Sequence, residues 1–129
     1  MYTKKKFNPT ESELEILQIL WSKGQATVRE VHEVLEHTKD TGYTTTLKTM
    51  QIMTEKGMLE RDISSRIHIY KPLVSQEKTQ QHFLDKMMGG IFKGSASRLV
   101  IGALDHTEVS EKELREIKEY LSQFENRKS

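Results

Sequence analysis

Residues 42–59 read GYTTTLKTMQIMTEKGML, and this stretch decides the fold. It contains many threonines, which lose rotamer freedom in a helix, yet its apolar residues recur at helical spacing. One side of the helical wheel, expected to pack against the rest of the domain, consists of Thr46, Met50, Met53 and Gly57. The outward side consists of Thr44, Thr45, Lys48 and Gln51. The stretch therefore predicts an amphipathic helix that presents small hydroxyl groups first and then an ammonium and an amide.

Two shorter helices are expected before this stretch, each starting with a capping box. In this motif a threonine side chain and a glutamate three residues later satisfy each other's backbone donors. The two pairs are Thr10 with Glu13 and Thr27 with Glu30. Together with the spacing of the apolar residues, they predict helices over residues 10–23 and 27–37. The third helix is expected to end at Gly57.

A β-hairpin is expected over residues 58–71, with a polar tip at Ser64 and Ser65. Apolar and polar residues alternate from Arg66 to Lys71, which predicts a strand beginning at Arg66. The alternation places Ile67 and Ile69 on one face and His68 and Tyr70 on the other. Three short helices followed by a hairpin is the order of a winged helix-turn-helix.

The remainder of the chain predicts amphipathic helices that begin near Ser75, Ser95 and Ser110. They provide too little apolar material for a separate core, so we expect them to pack against the same region of a second chain. The residues expected in this dimer interface are Phe83, Met87, Leu99, Leu114, Ile117, Leu121 and Phe124. The predicted organisation is a basic arm (1–8), a winged-helix DNA-binding domain (9–73) and a helical dimerisation domain (74–129).

The outward side of the third helix suits the major groove of double-stranded DNA. Hydroxyl groups and helix-terminal amides bind phosphates, threonine methyls contact thymine methyls, and glutamine pairs with adenine. Basic side chains expected to contact the DNA backbone are Arg66 at the hairpin tip, Arg61 and Lys71 on the strands, and Arg29 on the second helix. The alternative is that this side is only a solvated polar face, the commonest feature of any surface helix.

Composition and motifs argue against other classes of protein. The 129 residues carry a formal net charge of +1 and contain no cysteine, which excludes disulfides and thiolate metal sites. A long apolar run and a leader peptide are both lacking, so we expect a cytoplasmic protein without membrane insertion. His32 with Glu36 or His37 is a weak candidate for a metal site. Without a catalytic motif we expect no enzyme, no cofactor and no metal.

Three segments resemble the penicillinase repressor (BlaI/MecI) family of bacterial transcriptional regulators. They are PTESELEILQILWSKGQATVREVHEVL (9–35), the stretch 42–59, and IYKPLVS (69–75), and the resemblance extends over about 9–121. It implies a homodimeric repressor that binds a palindromic operator and is released when a membrane sensor triggers proteolysis in the C-terminal region. The DNA contacts that it implies are Tyr43, Thr44, Thr45, Lys48 and Gln51, with Arg66 on the wing.

Two features depart from the family pattern. In the relatives the cut falls at an Asn-Phe pair, whereas the matching position here is Gly102-Ala103. The copper-responsive branch ends in a cysteine cluster, which this chain lacks. Two alternatives remain: a winged-helix repressor that releases DNA on binding a small effector, and a winged-helix adaptor that binds only proteins. The near-neutral charge mildly favours the adaptor, whereas the threonine-rich first turn and Lys48 oppose it.

Overall fold

The computed structural model describes residues 7–128, which form six α-helices and one β-hairpin. The elements are α1 (Glu11–Lys23), α2 (Val28–Leu35), α3 (Tyr43–Glu55), β1 (Leu59–Asp62), β2 (Ile69–Pro72), α4 (Gln76–Gly89), α5 (Ala96–Asp105) and α6 (Glu111–Lys128). The chain divides into two compact units between Leu84 and Asp85, within α4. This order of elements confirms the predicted winged helix-turn-helix followed by a helical region. Lys4, Lys5 and Lys6 of the predicted basic arm lie outside the described residues.

The first two helices begin at the predicted capping boxes. In α1, the backbone N–H of Glu13 donates to Thr10 Oγ1 (3.2 Å) and that of Thr10 donates to Glu13 Oε1 (2.9 Å). In α2, Thr27 and Glu30 make the same two bonds at 3.1 and 2.9 Å. Helix α2 ends two residues earlier than predicted, because the backbone N–H groups of His37 and Thr38 bond to carbonyls three residues back and close a turn.

The core of the first unit lies between α1, α2, α3 and the hairpin. The inward side of α3 is buried as the helical spacing predicts, with Met50 and Met53 completely covered and Thr46 only 2% exposed. Gly57 has a φ of 88°, a left-handed conformation that favours glycine, and it turns the chain from α3 towards β1. The buried apolar residues are Ile16, Leu17, Leu20, Ala26, Val28, Val31, Leu35, Met50, Met53, Met58, Leu59 and Tyr70.

The hairpin pairs β1 and β2 in antiparallel register, from Leu59 opposite Pro72 to Asp62 opposite Ile69. Ala26 and Tyr70 exchange two backbone hydrogen bonds (2.9 and 2.8 Å), which ties the segment before α2 to the hairpin. The predicted strand start at Arg66 is wrong, since β2 begins at Ile69. The hydroxyl of Ser65 donates to the carbonyl of Ile67 (2.7 Å), and this local bond replaces strand pairing at the tip.

Serine side chains lie at the starts of the later helices, as predicted. Ser75, Ser95 and Ser110 accept hydrogen bonds from backbone N–H groups three residues onward, at 3.1, 3.3 and 3.1 Å. Across their whole lengths, α5 and α6 contain no buried residue in the single chain. None of the helices described is long and apolar enough to cross a membrane.

Candidate nucleic-acid interface

The N-terminus of α3 differs from those of α1 and α2. Its first flanking residue is Gly42, and no side chain caps it within residues 7–128. The first turn of α3 also contains no acidic residue. Helix geometry leaves the leading N–H groups of any α-helix without intrahelical partners. Because α1 and α2 satisfy such groups with capping boxes and α3 does not, the start of α3 offers its backbone donors to an anion.

The five positions of α3 expected to contact DNA are all exposed. They are Tyr43, Thr44, Thr45, Lys48 and Gln51. The other threonines of this helix have local roles. Thr49 and Thr54 donate their hydroxyl protons to the carbonyls of Thr45 (2.9 Å) and Met50 (2.8 Å), so their polar groups are satisfied within the helix. Thr46 is buried and lies 3.0 Å from His32 Nδ1, so of the threonines in α3, Thr44 and Thr45 are the two placed to meet an external partner.

A groove of about 420 Å³ lies between the start of α2, the start of α3 and the wing. Arg29, Tyr43 and Arg66 line it, so the structure brings together three of the residues that the sequence singles out. The guanidinium carbon of Arg29 lies 5.4 Å from the ring centre of Tyr43, a cation–π contact. Leu47 and Ile67 supply apolar surface in the same groove. Glu30 also lines it, so the groove combines two cations and one carboxylate with apolar surface.

Arg61 is not part of this groove. It lines a separate depression of about 430 Å³, together with Gln25 and Lys71. The ammonium of Lys71 lies 3.6 Å from a carboxylate oxygen of Glu60 on the neighbouring strand, and both side chains are 55% exposed. A phosphate contact by Arg61 would thus lie apart from the contacts grouped around Arg29, Tyr43 and Arg66.

The wing tip is held by its own hydrogen bonds. The backbone N–H of Ser64 donates to Asp62 Oδ1 (2.9 Å), and this bond lowers the pKa of the Asp62 carboxyl below its ordinary value. Arg66 is exposed, and Ile63 and Ile67 are 61% and 65% exposed beside it. The sequence prediction placed Ile67 in a strand and did not anticipate this apolar tip. The hydrophobicity of both isoleucines in a polar loop was the available signal.

A buried histidine joins α2 to α3, and its role was missed at the level of sequence. His32 is 7% exposed, and its Nδ1 lies 3.0 Å from Thr46 Oγ1 on α3. Its Nε2 lies 2.9 Å from Glu36 Oε1. His32 and Glu36 are the pair considered from the sequence as possible metal ligands. Among residues 7–128, no three His, Asp or Glu side chains are grouped in a way that could hold a metal ion. The Thr46 partner is 14 residues away and cannot be inferred from spacing.

A second polar contact fixes the other end of α3. Glu13, which is 3% exposed, receives a hydrogen bond from the ammonium of Lys56 at 2.8 Å. Burial raises the pKa of the Glu13 carboxyl, but the hydrogen bonds from Lys56 and from the Thr10 backbone outweigh it, so the net pKa is lowered. The carboxylate thus stays ionised at neutral pH and connects α1 to the residue that follows α3.

The residues expected in a dimer interface lie on α4, α5 and α6. Phe83 is half-buried on α4, and Met87 on the same helix is 38% exposed. On α6, Leu114, Leu121 and Phe124 are 39%, 50% and 41% exposed. Leu99 and Ile117 are half-buried. Helices α4, α5 and α6 therefore leave much of their apolar surface uncovered in one chain.

Comparison with known proteins identifies the family. The family model described as "Penicillinase repressor" matches residues 9–123. The methicillin resistance regulatory protein MecI of Staphylococcus aureus (strain N315) is 25% identical over 122 residues, 92% of this chain and 96% of its own length. The penicillinase repressor of Bacillus licheniformis is 23% identical over 120 residues, 92% and 93% of the two chains. The transcriptional regulator BlaI of Mycobacterium tuberculosis (strain CDC 1551 / Oshkosh) is 30% identical over 80 residues, 61% and 52% of the two chains. The relatives are named as repressors and regulators, which are not enzymes. Because the family model spans most of the sequence, the chain belongs to the penicillinase repressor family.

Proposed function

We propose that this protein is a homodimeric transcriptional repressor that binds double-stranded DNA through α3. The observation that carries the proposal is the start of α3, where exposed hydroxyl groups accompany an N-terminus that no side chain caps within the described residues. An acidic first turn would repel phosphate, and a capped one would have fewer free N–H donors for it. The first turn of α3 has neither feature and therefore attracts phosphate. The family membership and the names of the relatives support the same function.

The exposed side chains divide into two kinds of DNA contact. We assign Tyr43, Thr44 and Thr45 to phosphates and to groups at the edge of the major groove, because they surround the positive end of α3. Lys48 and Gln51 lie one and two turns further along the helix, where guanine and adenine edges are their preferred partners. Arg29 and Arg66, which both line the groove described above, would hold the DNA backbone.

The uncovered apolar surface of the second unit supports the homodimer. Isolated soluble monomers seldom expose a continuous apolar stripe, and Leu114, Leu121 and Phe124 recur at helical spacing along α6. Pairing this surface with the same surface of a second chain would cover it around a twofold axis. A twofold dimer implies an operator with two inverted half-sites, spaced by about one or more turns of DNA, roughly 34–36 Å each.

Selection of binding sites from random DNA tests the proposal directly. The purified full-length chain is incubated with a library of random duplexes, and the bound fraction is amplified and sequenced over several rounds. We expect enrichment of an inverted repeat, and a mobility shift with the enriched duplex that weakens steeply as salt rises. A scrambled duplex of equal composition is the control. Failure to enrich any sequence would refute the repressor assignment and favour the protein-binding adaptor.

The family resemblance also suggests a route of release through a membrane sensor and proteolysis. The matching peptide bond, Gly102-Ala103, lies near the end of α5 rather than at an Asn-Phe pair. A helical segment must open locally before a protease can bind it as an extended chain. Mass spectrometry of the protein from cells treated with a β-lactam would reveal fragments ending at Gly102 if this route operates. An intact chain that has left its DNA would instead support release by a small effector.

A further inference from the structure

The buried contact between α2 and α3 bears on how DNA is recognised. We infer that His32 is a positioning residue for operator recognition. It holds the first turns of α3 in a defined position relative to α2. This inference rests on the proposed DNA-binding function. His32 belongs to α2, is 7% exposed and contacts two residues of α3, Tyr43 and Thr46. Because its side chain is buried, His32 is not itself assigned a contact with DNA.

Both ring nitrogens of His32 have defined partners. The Glu36 carboxylate only accepts hydrogen bonds, so the 2.9 Å contact requires a hydrogen on Nε2. Nδ1 then accepts the hydroxyl proton of Thr46 when the ring is neutral and donates to the same oxygen when the ring is charged. The ring contacts Glu36, the residue that follows α2, and Tyr43 and Thr46 from α3. The contact between the helices therefore persists in both protonation states.

The ring of His32 also supports the surface that faces DNA. Its centre lies 5.6 Å from the ring centre of Tyr43, and the two planes are inclined by 85°, an edge-to-face arrangement. The guanidinium of Arg29 also lies 5.4 Å from the ring centre of Tyr43. His32 thus contacts one side chain assigned to DNA, Tyr43, while its bond to Thr46 holds the helix that carries the others.

This arrangement differs from simple filling of the core. A space-filling residue needs no directional bonds, and leucine or methionine would supply the volume without a buried polar group. His32 instead points two hydrogen bonds along fixed directions, one to its own helix and one across to α3. Sites that bind with specificity require such supporting contacts, because an error of about 1 Å misplaces the groups that read bases.

The test compares specific and non-specific DNA binding by the full-length protein. The probes are the inverted-repeat duplex enriched by the wild-type chain and a scrambled duplex of equal composition. His32→Gln keeps a polar group that can reach Glu36 but loses the bond to Thr46, and Thr46→Val removes the hydroxyl from the other side. Both variants should lower affinity for the enriched duplex about tenfold, the upper range of one hydrogen bond, and should weaken binding to the scrambled duplex by a smaller factor. Thr46→Ser should restore specific binding.

Controls separate positioning from stability and from the proposed function. His37→Gln alters an exposed histidine just after α2 and should bind like wild type. A thermal melt confirms that each variant is folded at the assay temperature. A lower melting temperature with an unchanged ratio of specific to non-specific affinity in both variants would overturn the inference while leaving the repressor assignment intact. If one variant fails to fold, the ratio measured for the other decides. If wild type shows no preference between the two duplexes, the proposed function itself fails.

Discussion

Replacing Lys56 with methionine tests how strongly the end of α3 is tied to α1. The ammonium lies 2.8 Å from a carboxylate oxygen of Glu13, and the two side chains are 46% and 4% exposed. Removing one partner of a fully buried pair destabilises a protein by ~3–5 kcal/mol, whereas exposed pairs contribute up to ~1 kcal/mol. Because only Glu13 is buried, we expect an intermediate loss of about 2 kcal/mol, which for a domain of this size lowers the melting temperature by roughly 10 °C.

The dependence on pH gives the sign of the effect. The folded-state pKa of Glu13 is lowered, so its ionised form stabilises the fold above the unfolded carboxyl value of 4.5. That contribution is lost as the pH falls through the lowered folded-state pKa. We therefore expect wild type and Lys56→Met to differ most at neutral pH. They should converge in acid, where Glu13 is protonated in both proteins.

Denaturant unfolding at neutral and acidic pH measures both quantities, and the chain contains a matched control. Lys39 lies 3.1 Å from Glu15 in a pair whose side chains are 39% and 36% exposed. Lys39→Met should cost less than about 1 kcal/mol, because water replaces the lost partner on both sides. If Lys56→Met destabilised the protein no more than Lys39→Met, or equally at both pH values, the argument from the burial of Glu13 would be wrong.

Three further changes test the proposed interfaces and the fold. Lys48→Ala should weaken binding to the enriched duplex more than binding to the scrambled duplex, because Lys48 is assigned to base edges, whereas Lys118→Ala on α6 should change neither affinity in a mobility-shift titration. Leu121→Asp should separate the dimer by placing a charge on its apolar surface, and sedimentation showing an intact dimer at micromolar concentration would disprove the interface. Thr27→Ala should lower the free energy of unfolding by about 1 kcal/mol through loss of the capping box, with Thr27→Ser close to wild type in the same denaturation assay.

The features that sequence predicted well depend on residues close together in the chain. A capping box needs only a threonine and a glutamate three positions apart, so Thr10 and Thr27 mark their helix starts without ambiguity. The inward side of α3 is likewise determined by local periodicity, and the structure buries Met50 and Met53 accordingly. The assignment of the outward residues to DNA is of another kind, since exposure alone does not show what they bind.

The features that sequence missed depend on partners far apart in the chain. Alternation around Arg66 suggested a long strand, but the hydrogen bond from Ser65 to Ile67 and the pairing of Tyr70 with Ala26 decide where β2 begins. Tyr70 is 2% exposed, and its burial goes with its pairing to Ala26 and could not be read from its position in the alternating pattern. The partner of His32 across the helix-turn-helix was invisible for the same reason.

The two polar contacts at the ends of α3 explain how a helix with a flexible core face can hold a defined position. Met50 and Met53 fill the space beneath α3, but methionine adapts to several packings and by itself leaves the angle of the helix poorly determined. The hydrogen bond between His32 and Thr46 fixes the beginning of α3 to α2, and the bond from Lys56 to Glu13 fixes its end to α1. Because each contact is directional and joins α3 to a different helix, together they determine both the place and the orientation of its outward side. The threonine at position 46 is therefore present for its hydroxyl group, which is why a residue of modest helix propensity occurs on the buried side of α3.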